Sequence, residues 1–588
     1  MEKQNRVIRP LAGYLRPFLW KCIAGPFFKL LEAILELYMP LRLAGVIDKV
    51  LELRDAGEPY SEYVLREGAI LVGIVALGLC SAILCQYWAS QVSQGYGTKL
   101  RSVLYRKMQS LSHRELDAFG TPSLVNRLTA DVNALQNAVA MLIRLVIRAP
   151  FLCIGGIIMA FTLNAQLALV ILIAVPLLVL AMVLVTRKSV PLHTETQKKN
   201  DRLAVILREN LSGVRVVRAF TRTEEQRERY GNAADESMHA AIRANRVGIL
   251  LNPLTQLIMN LAIVLILAVS GVRFPKYGDI SSGDLIALIN YVNQILAALV
   301  VVSNLVVLYA KAYASGKRVC EVLHTEPELR SGEVTEGVSG APAVCFRGVS
   351  FSYHEKNVLE NISFTVKRGM TVGIIGGTGS GKSTLTHLIS RLYDCTAGEV
   401  EVDGVNVRAY TLEALRKKIA VVPQEVQLFS GTIRENIVLG NPQATQEELE
   451  RAAKIAQADA FIREKENGYQ GTVARGGRNF SGGQRQRLAI ARAIASGSEI
   501  LIFDDATSAL DYATDAAVRK GLREGLNDVT LFMISQRVSA VRHADLILVL
   551  DDGHLAGAGR HEALYASCEA YREICRSQNV KGKEGSEV

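Results

Sequence analysis

Cysteine is scarce and scattered. The 588-residue chain holds nine, with no C-x-x-C pair and no Cys/His cluster, which excludes a disulfide scaffold and a structural zinc site. Charge is also sparse. At 21% charged and 49% hydrophobic residues the composition excludes a disordered or fibrous protein. No small-residue cleavage site follows the first apolar run, so a cleaved signal peptide is not expected. No transit peptide is expected from the residues before Leu11, nor a peptidase domain, since they hold no Cys/His unit. The net charge of +10 would suggest nucleic acid in a soluble chain; here the basic residues gather in loops between apolar runs.

Six such runs fill the first half, roughly Phe18–Ile47, Gly68–Trp88, Met141–Leu163, Ala165–Val185, Val247–Val272 and Leu285–Ala310. Each is about 20 residues or longer, the length of a helix crossing a hydrocarbon core of about 30 Å. The first is the least apolar, carrying Lys21, Glu32, Glu36 and Pro40. A basic N-terminus, an acidic loop from Asp48 to Glu67 and a long basic segment from Arg187 onward all fit one topology, with the N-terminus inside. Spans three and four are joined outside by little more than Asn164. The connections 89–140 and 186–246 read as helical extensions into the cytoplasm, with turn signals at Phe119–Ser123 and Asn210–Gly213. Arg144 and Arg148 are read as snorkelling where span three emerges inside.

Beyond Ala310 the pattern changes. Thr325–Pro342, rich in Glu, Gly, Ser and Pro, reads as a linker. Short β-rich runs then alternate with amphipathic helices, as in an α/β domain. Gly376-Gly377-Thr378-Gly379-Ser380-Gly381-Lys382-Ser383 fits G-x-x-x-x-G-K-[ST] between a strand and the helix opening at Thr384. Glycines let backbone amides converge on phosphates, Lys382 reaches the terminal phosphates, and the Ser383 hydroxyl suits Mg²⁺. Ile500–Phe503 is an apolar strand ending in Asp504 and Asp505, carboxylates suited to a metal-bound nucleotide. Phe480-Ser481-Gly482-Gly483-Gln484 opens a basic helix. Taken alone it reads either as an anion-binding N-terminus or as an ordinary serine cap.

Together these motifs resemble the ATP-binding cassette (ABC) transporters, and the layout is similar to that of an exporter half-transporter. The fold expected is a six-helix transmembrane domain with long cytoplasmic helical extensions followed by an α/β P-loop cassette. Its bounds are a membrane domain over 1–324, a linker over 325–342, a cassette over 343–578 and a disordered tail over 579–588. The resemblance implies that Tyr353 stacks on adenine. It implies that Gln424 senses the γ-phosphate and, with Ser383 and Asp504, meets Mg²⁺, and that Asp511 crosses between paired cassettes. It also implies that the signature Phe480–Gln484 completes a partner's ATP site, and that the tips near Ser123 and Ser212 are coupling helices. ATP and Mg²⁺ are the expected ligands, the plasma membrane the expected location, and nucleic acid is not an expected partner.

Two departures stand out. The family's active pattern carries Glu where this chain has Asp505, and a switch histidine where it has Gln536; a smaller change puts Arg475 where Glu is usual. The chain thus resembles the degenerate-site subunit of heterodimeric bacterial exporters, which implies a non-identical partner supplying the competent Glu and His. A homodimeric exporter, an exporter-fold importer and a regulatory subunit gating its partner are the alternatives. For an amphipathic substrate the polar residues inside spans offer candidates. Glu32 and Glu36 lie on one face of span one and suit a cation if they are not already paired with Lys or Arg. Gln256, Asn260, Asn290, Asn293, Gln294 and Asn304 either line a path or bond between helices.

Overall fold

The computed structural model describes residues 9–277, 280–353, 356–526 and 528–580, with side-chain detail lacking for 272–277. The tail expected to be disordered lies mostly outside the described residues. The chain divides into two compact units, Met1–Gln109 with Gly120–Thr325, and Ser110–Phe119 with Glu326–Val588.

The first unit is helical. Its long helices are α1 (Leu19–Asp55), α2 (Ser61–Ser110), α3 (Arg148–Leu163), α4 (Ala165–Ser212), α5 (Thr223–Gly248), α6 (Leu251–Tyr277) and α7 (Ser282–His324). Among the described residues, five helical stretches are long and apolar enough to cross a membrane: Ser61–Ser110, Thr121–Leu163, Ala165–Ser212, Thr223–Gly271 and Ser282–His324. The first expected span also forms one long helix of 37 residues, with Pro26 and Pro40 inside it, but is more charged than these five. At about 1.5 Å per residue, α2 and α4 run far beyond the thickness of a bilayer. Leucine, alanine and valine favour such helices, and the breaks fall where caps are encoded. Asn164 is extended at φ −154°, and its side chain accepts from the amides of Gln166 and Leu167 at 3.1 Å each. It both ends α3 and starts α4. Between Thr121 and α3 the helix passes through two π-helical turns, Arg127–Asp131 and Leu142–Val146.

Helix α7 packs against α1 and α3 through small residues. A Cβ on Gly283 would come within 2.2 Å of the Ala44 carbonyl, and the Gly283 amide donates to Asp48 at 2.8 Å. The buried Tyr291 hydroxyl donates to the Leu37 carbonyl at 2.8 Å. Such close backbone approach is how helices associate where lipid leaves no hydrophobic driving force.

The second unit carries two main sheets. Strands β1 (Val344–Ser352), β2 (Asn357–Val366), β4 (Ala397–Val402) and β5 (Val405–Asn406) form an antiparallel sheet in the order β2-β1-β4-β5. The other has six strands. Adding β3 (Thr371–Gly376), β6 (Ile419–Val422), β7 (Ile500–Asp504), β8 (Thr530–Ile534), β9 (Leu546–Asp551) and β10 (His554–Gly559), its order is β10-β9-β3-β8-β7-β6. All neighbours are parallel except β9 and β10. Every residue of β7 and β8 is buried, which explains their unbroken apolar sequences.

The linker expected over 325–342 is a strap bonded to the second unit. The Gly332 amide donates to the Tyr410 carbonyl at 2.9 Å, and the Val338 amide to the Asp403 carbonyl at 2.8 Å. Gly332 and Gly337 permit this, since a Cβ on either would come within 2.1 and 2.3 Å of Ala409 and Asp403. Its Gly and Ser content signals close approach rather than slack chain.

Candidate nucleotide site

Three adjacent strands build the site. Ile374 of β3 pairs with Ile534 of β8, which pairs with Asp504 of β7. The loop after Gly376, the Asp504–Asp505 pair and the Ser535–Arg537 segment therefore emerge side by side at the carboxyl ends of parallel strands, where open α/β sheets bind ligands. Gly376 is tight, a Cβ there lying 2.1 Å from the Leu550 carbonyl, whereas Gly377 and Gly379 face open space. Gly379 and Gly381 adopt φ of 83° and 94°, the left-handed region that curls a loop so that its amides point inward.

Lys382 begins the helix Lys382–Ile389 and is buried. Its Nζ donates to the carbonyls of Gly376 at 3.0 Å and Gly377 at 2.5 Å and to Ser380 Oγ at 3.4 Å. Burial draws its pKa below the ordinary lysine value, against the pull of Asp504 and Asp505. The Ser383 hydroxyl donates to Asp504 Oδ1 at 3.0 Å, and Asp504 is buried. A hydroxyl and a carboxylate in contact are the hard oxygen donors Mg²⁺ prefers, with phosphates and water completing its shell, so these residues fit that ion. Gln424 is exposed in the segment after β6.

Asp505 follows at φ 50°, its amide donating to the Ile534 carbonyl at 3.1 Å. Burial and the Asp504 charge push its pKa up, with Arg537 and Lys382 opposing. Gln536 is exposed, but its backbone is held. Gln578 Nε2 donates to the Gln536 carbonyl at 2.7 Å, and the Val538 amide donates to Gln578 Oε1 at 2.9 Å. The sequence reading missed this clamp, which spans 42 residues.

Tyr353 stands between the rings of Phe351 and Tyr393 at 4.8 and 5.2 Å, its hydroxyl 3.2 Å from Thr384 Oγ1. Beside it lies the short helix His113–Phe119, where Asp117 accepts from the Tyr393 hydroxyl at 2.8 Å and Arg114 pairs with Glu328 at 2.8 Å. The first tip is therefore this helix, not the region near Ser123, which lies in the following helix Thr121–Asn126. Gly120 makes the corner at φ 72°. The second tip carries the helix Val214–Ala219, directly after Ser212.

Ser481 caps the helix Gly482–Ala495 in a capping box. Its hydroxyl accepts from the Gln484 amide at 3.2 Å, and its own amide donates to Gln484 Oε1 at 3.0 Å. The next turn ties this helix to the segment before Asp511, because the Ala509 amide donates to buried Gln486 at 3.0 Å. Asp511 in turn caps the helix Tyr512–Gly525, accepting from the Thr514 amide at 2.9 Å. Phe480 is buried against Phe461.

Comparison with known proteins agrees with this geometry. The profile of the ABC transporter transmembrane region matches residues 22–299, and that of the ABC transporter matches residues 359–508. An uncharacterised ABC transporter ATP-binding protein of Mycobacterium tuberculosis is 38% identical over 98% of this chain and 99% of its own. The chain belongs to the ABC transporter family. Another uncharacterised ABC transporter ATP-binding protein, from Bacillus subtilis, is 36% identical over 98% and 99% of the two chains. An ATP-dependent lipid A-core flippase of Syntrophus aciditrophicus is 30% identical over 88% and 86%. The solved structure of a bacterial Atm1-family ABC exporter with ATP bound matches with a TM-score of 0.78 at 26% identity, covering 96% of this chain and 99% of that one. The protein is thus an exporter-type ABC half-transporter of the plasma membrane. It is an ATP-driven transporter with its ATP-binding domain on the cytoplasmic side, and a half-transporter works as a dimer, with itself or with another half.

Within the membrane unit the sequence-based candidates separate. Glu32 pairs with Lys29 at 2.7 Å and Glu36 with Arg148 at 2.6 Å. Both carboxylates are paired, the second of the two readings the sequence left open, and neither is free for a cation. The Lys29–Glu32 spacing of three residues was a legible signal; the Arg148–Glu36 contact between helices was not. Gln294 donates to the Glu36 carbonyl at 3.3 Å and Asn290 to the Ile286 carbonyl at 2.9 Å. Gln256 and Asn260 bond each other at 3.4 Å on an exposed face of α6, and Asn293 and Asn304 of α7 are exposed as well.

Proposed function

We propose that this chain is the degenerate-site half of a heterodimeric exporter that moves amphipathic compounds out of the cytoplasm. The observation that carries the reading is Asp505. A base activating water must come within about 2.6–3.2 Å of it, and Asp505 is one methylene shorter than the glutamate of active cassettes. At φ 50° it occupies backbone that Asp tolerates better than Glu. Gln536, in place of the switch histidine, can hydrogen-bond a γ-phosphate but cannot share a proton.

In this reading the Gly376–Thr384 loop and Lys382 hold the ATP phosphates, Tyr353 holds the base, and Ser383, Asp504 and Gln424 hold Mg²⁺. That ion would neutralise phosphate charge. Phe480–Gln484 and Asp511 face the ATP of a non-identical partner that brings the competent Glu and His. The bounds 1–324, 325–342 and 343–578 divide transport from ATP binding. Drugs and lipids are the amphipathic classes to screen, and the flippase among the relatives favours lipids.

The test is ATPase activity of the purified chain, alone and with the half-transporter it assembles with. Activity is expected in the pair only, and Asp505→Glu should leave the pair's turnover within about threefold. Brisk turnover by the chain alone would make Asp505 a sufficient base and the assembly an ordinary homodimer.

A further inference from the structure

Among the described residues, the partly buried charges of the membrane unit do not balance. The helices bring together four cations, Lys21, Lys29, Arg144 and Arg148, and two carboxylates, Glu32 and Glu36. Lys29 and Arg148 take both carboxylates, with Arg148 also 3.9 Å from Glu32. Arg42, the remaining cation of α1 at this level of the sequence, has its own partner in Glu67 at 3.1 Å. Lys21 and Arg144 are left with neutral partners on consecutive residues of α2. Arg144 Nη2 donates to Ser90 Oγ at 2.9 Å, and Lys21 Nζ donates to Gln91 Oε1 at 2.5 Å. Lys21 also lies 5.5 Å from the centre of the Trp88 ring.

Arg144 is held by another helix rather than snorkelling to the interface. Arg144 turns sideways to α2 instead of along its own helix, and its Nε is buried without a hydrogen-bond partner. It sits in the π-helical turn Leu142–Val146, a backbone irregularity that recurs at functional sites. Counted from the external cap at Asn164, Arg144 lies about 30 Å along the helix, at the inner boundary of the hydrocarbon core. Two neighbouring cations with no acidic partner among the described residues, set among apolar helices, match an acidic head with an apolar tail.

We propose that Lys21 and Arg144, flanking Ser90 and Gln91, bind the acidic head of an anionic amphiphile. The inference rests on the exporter reading for its claim about cargo, and on this cluster alone for its claim about binding. A transported amphiphile and a resident acidic lipid share this chemistry, and the experiment separates them.

The chain has two tryptophans, so Trp20→Phe leaves Trp88 as the sole reporter beside Lys21. The full-length protein in neutral maltoside micelles is titrated with dodecyl phosphate, and in parallel with dodecyltrimethylammonium. A saturable change in Trp88 emission is expected for the phosphate only. Arg144→Gln should weaken it about tenfold or more, and Arg144→Lys should restore it to within about threefold, because charge rather than fork geometry is what the site lacks. An equal response to both amphiphiles, or an unchanged affinity in Arg144→Gln, overturns the proposal. Repeating the titration on the assembled dimer with ATP and vanadate identifies the source: lost affinity marks a transported head group, and unchanged affinity a resident lipid. Because the titration of the chain by itself needs no hydrolysis, its failure leaves the ATPase reading standing, and the converse holds.

Discussion

Asp505 joins the electrostatics of the site to its backbone. Burial and Asp504 raise its pKa above the ordinary 3.8, so the folded protein holds this proton to higher pH than the unfolded chain. The stability it contributes is full below 3.8 and is lost as pH rises through the folded value. Asp505→Asn removes that titration and keeps a residue type at ease at positive φ. The apparent melting temperature of the variant in detergent should exceed that of the parent at neutral pH and match it at the acid end. Equal melting at both ends would mean that the Asp505 charge costs nothing. Lys382 has the opposite sign. Its lowered pKa means that the folded state gives up a proton first, so stability rises with pH between the folded value and 10.5.

At the scale of elements, the clamp by Gln578 links the end of the C-terminal helix Glu569–Ser577 to the strand-end segment beside the site. Gln578→Ala leaves the Gln536 carbonyl and the Val538 amide without their partner, a loss of about 1 kcal/mol per bond. Hydrogen exchange should accelerate at Val538 and its neighbours while the Gly376–Ser383 loop stays protected. If the two segments change alike, the clamp is not local. The P-loop, the acidic strand and the signature were legible in the sequence because each puts its chemistry within eight residues. The clamp was not, nor the pairing of Arg148 with Glu36, nor the place of the helix His113–Phe119, since each depends on contacts between residues distant in the chain. The close packing of the linker was not legible for a related reason: the sequence shows Gly332 and Gly337 but not the carbonyl and side chain they pack against.

At the scale of the whole molecule, a half-transporter with one cassette has its signature and its P-loop on separate elements. Among the described residues the signature bonds within its own helix and to Gly477, while Gln486, one turn on, takes the Ala509 amide. Gly482 has room for a side chain, its nearest neighbour being Ala509 at 3.8 Å. Gly482→Glu should therefore fold, leave ATP binding by this chain's own P-loop unchanged, and abolish turnover of the pair, by setting a carboxylate where a partner's phosphates belong. Retained turnover would place the working signature elsewhere.

The one-residue cap at Asn164 also decides where this protein can be handled from outside the cell. Between α3 and α4 there is no loop to receive an epitope tag or a protease site, because an insertion would separate the Asn164 side chain from the two amides it holds. The turn from Ala56 to Tyr60 is different. It is exposed throughout, and nothing lies within 4 Å of a Cβ on Gly57. A tag placed there should reach antibodies on intact cells without disturbing the helices on either side.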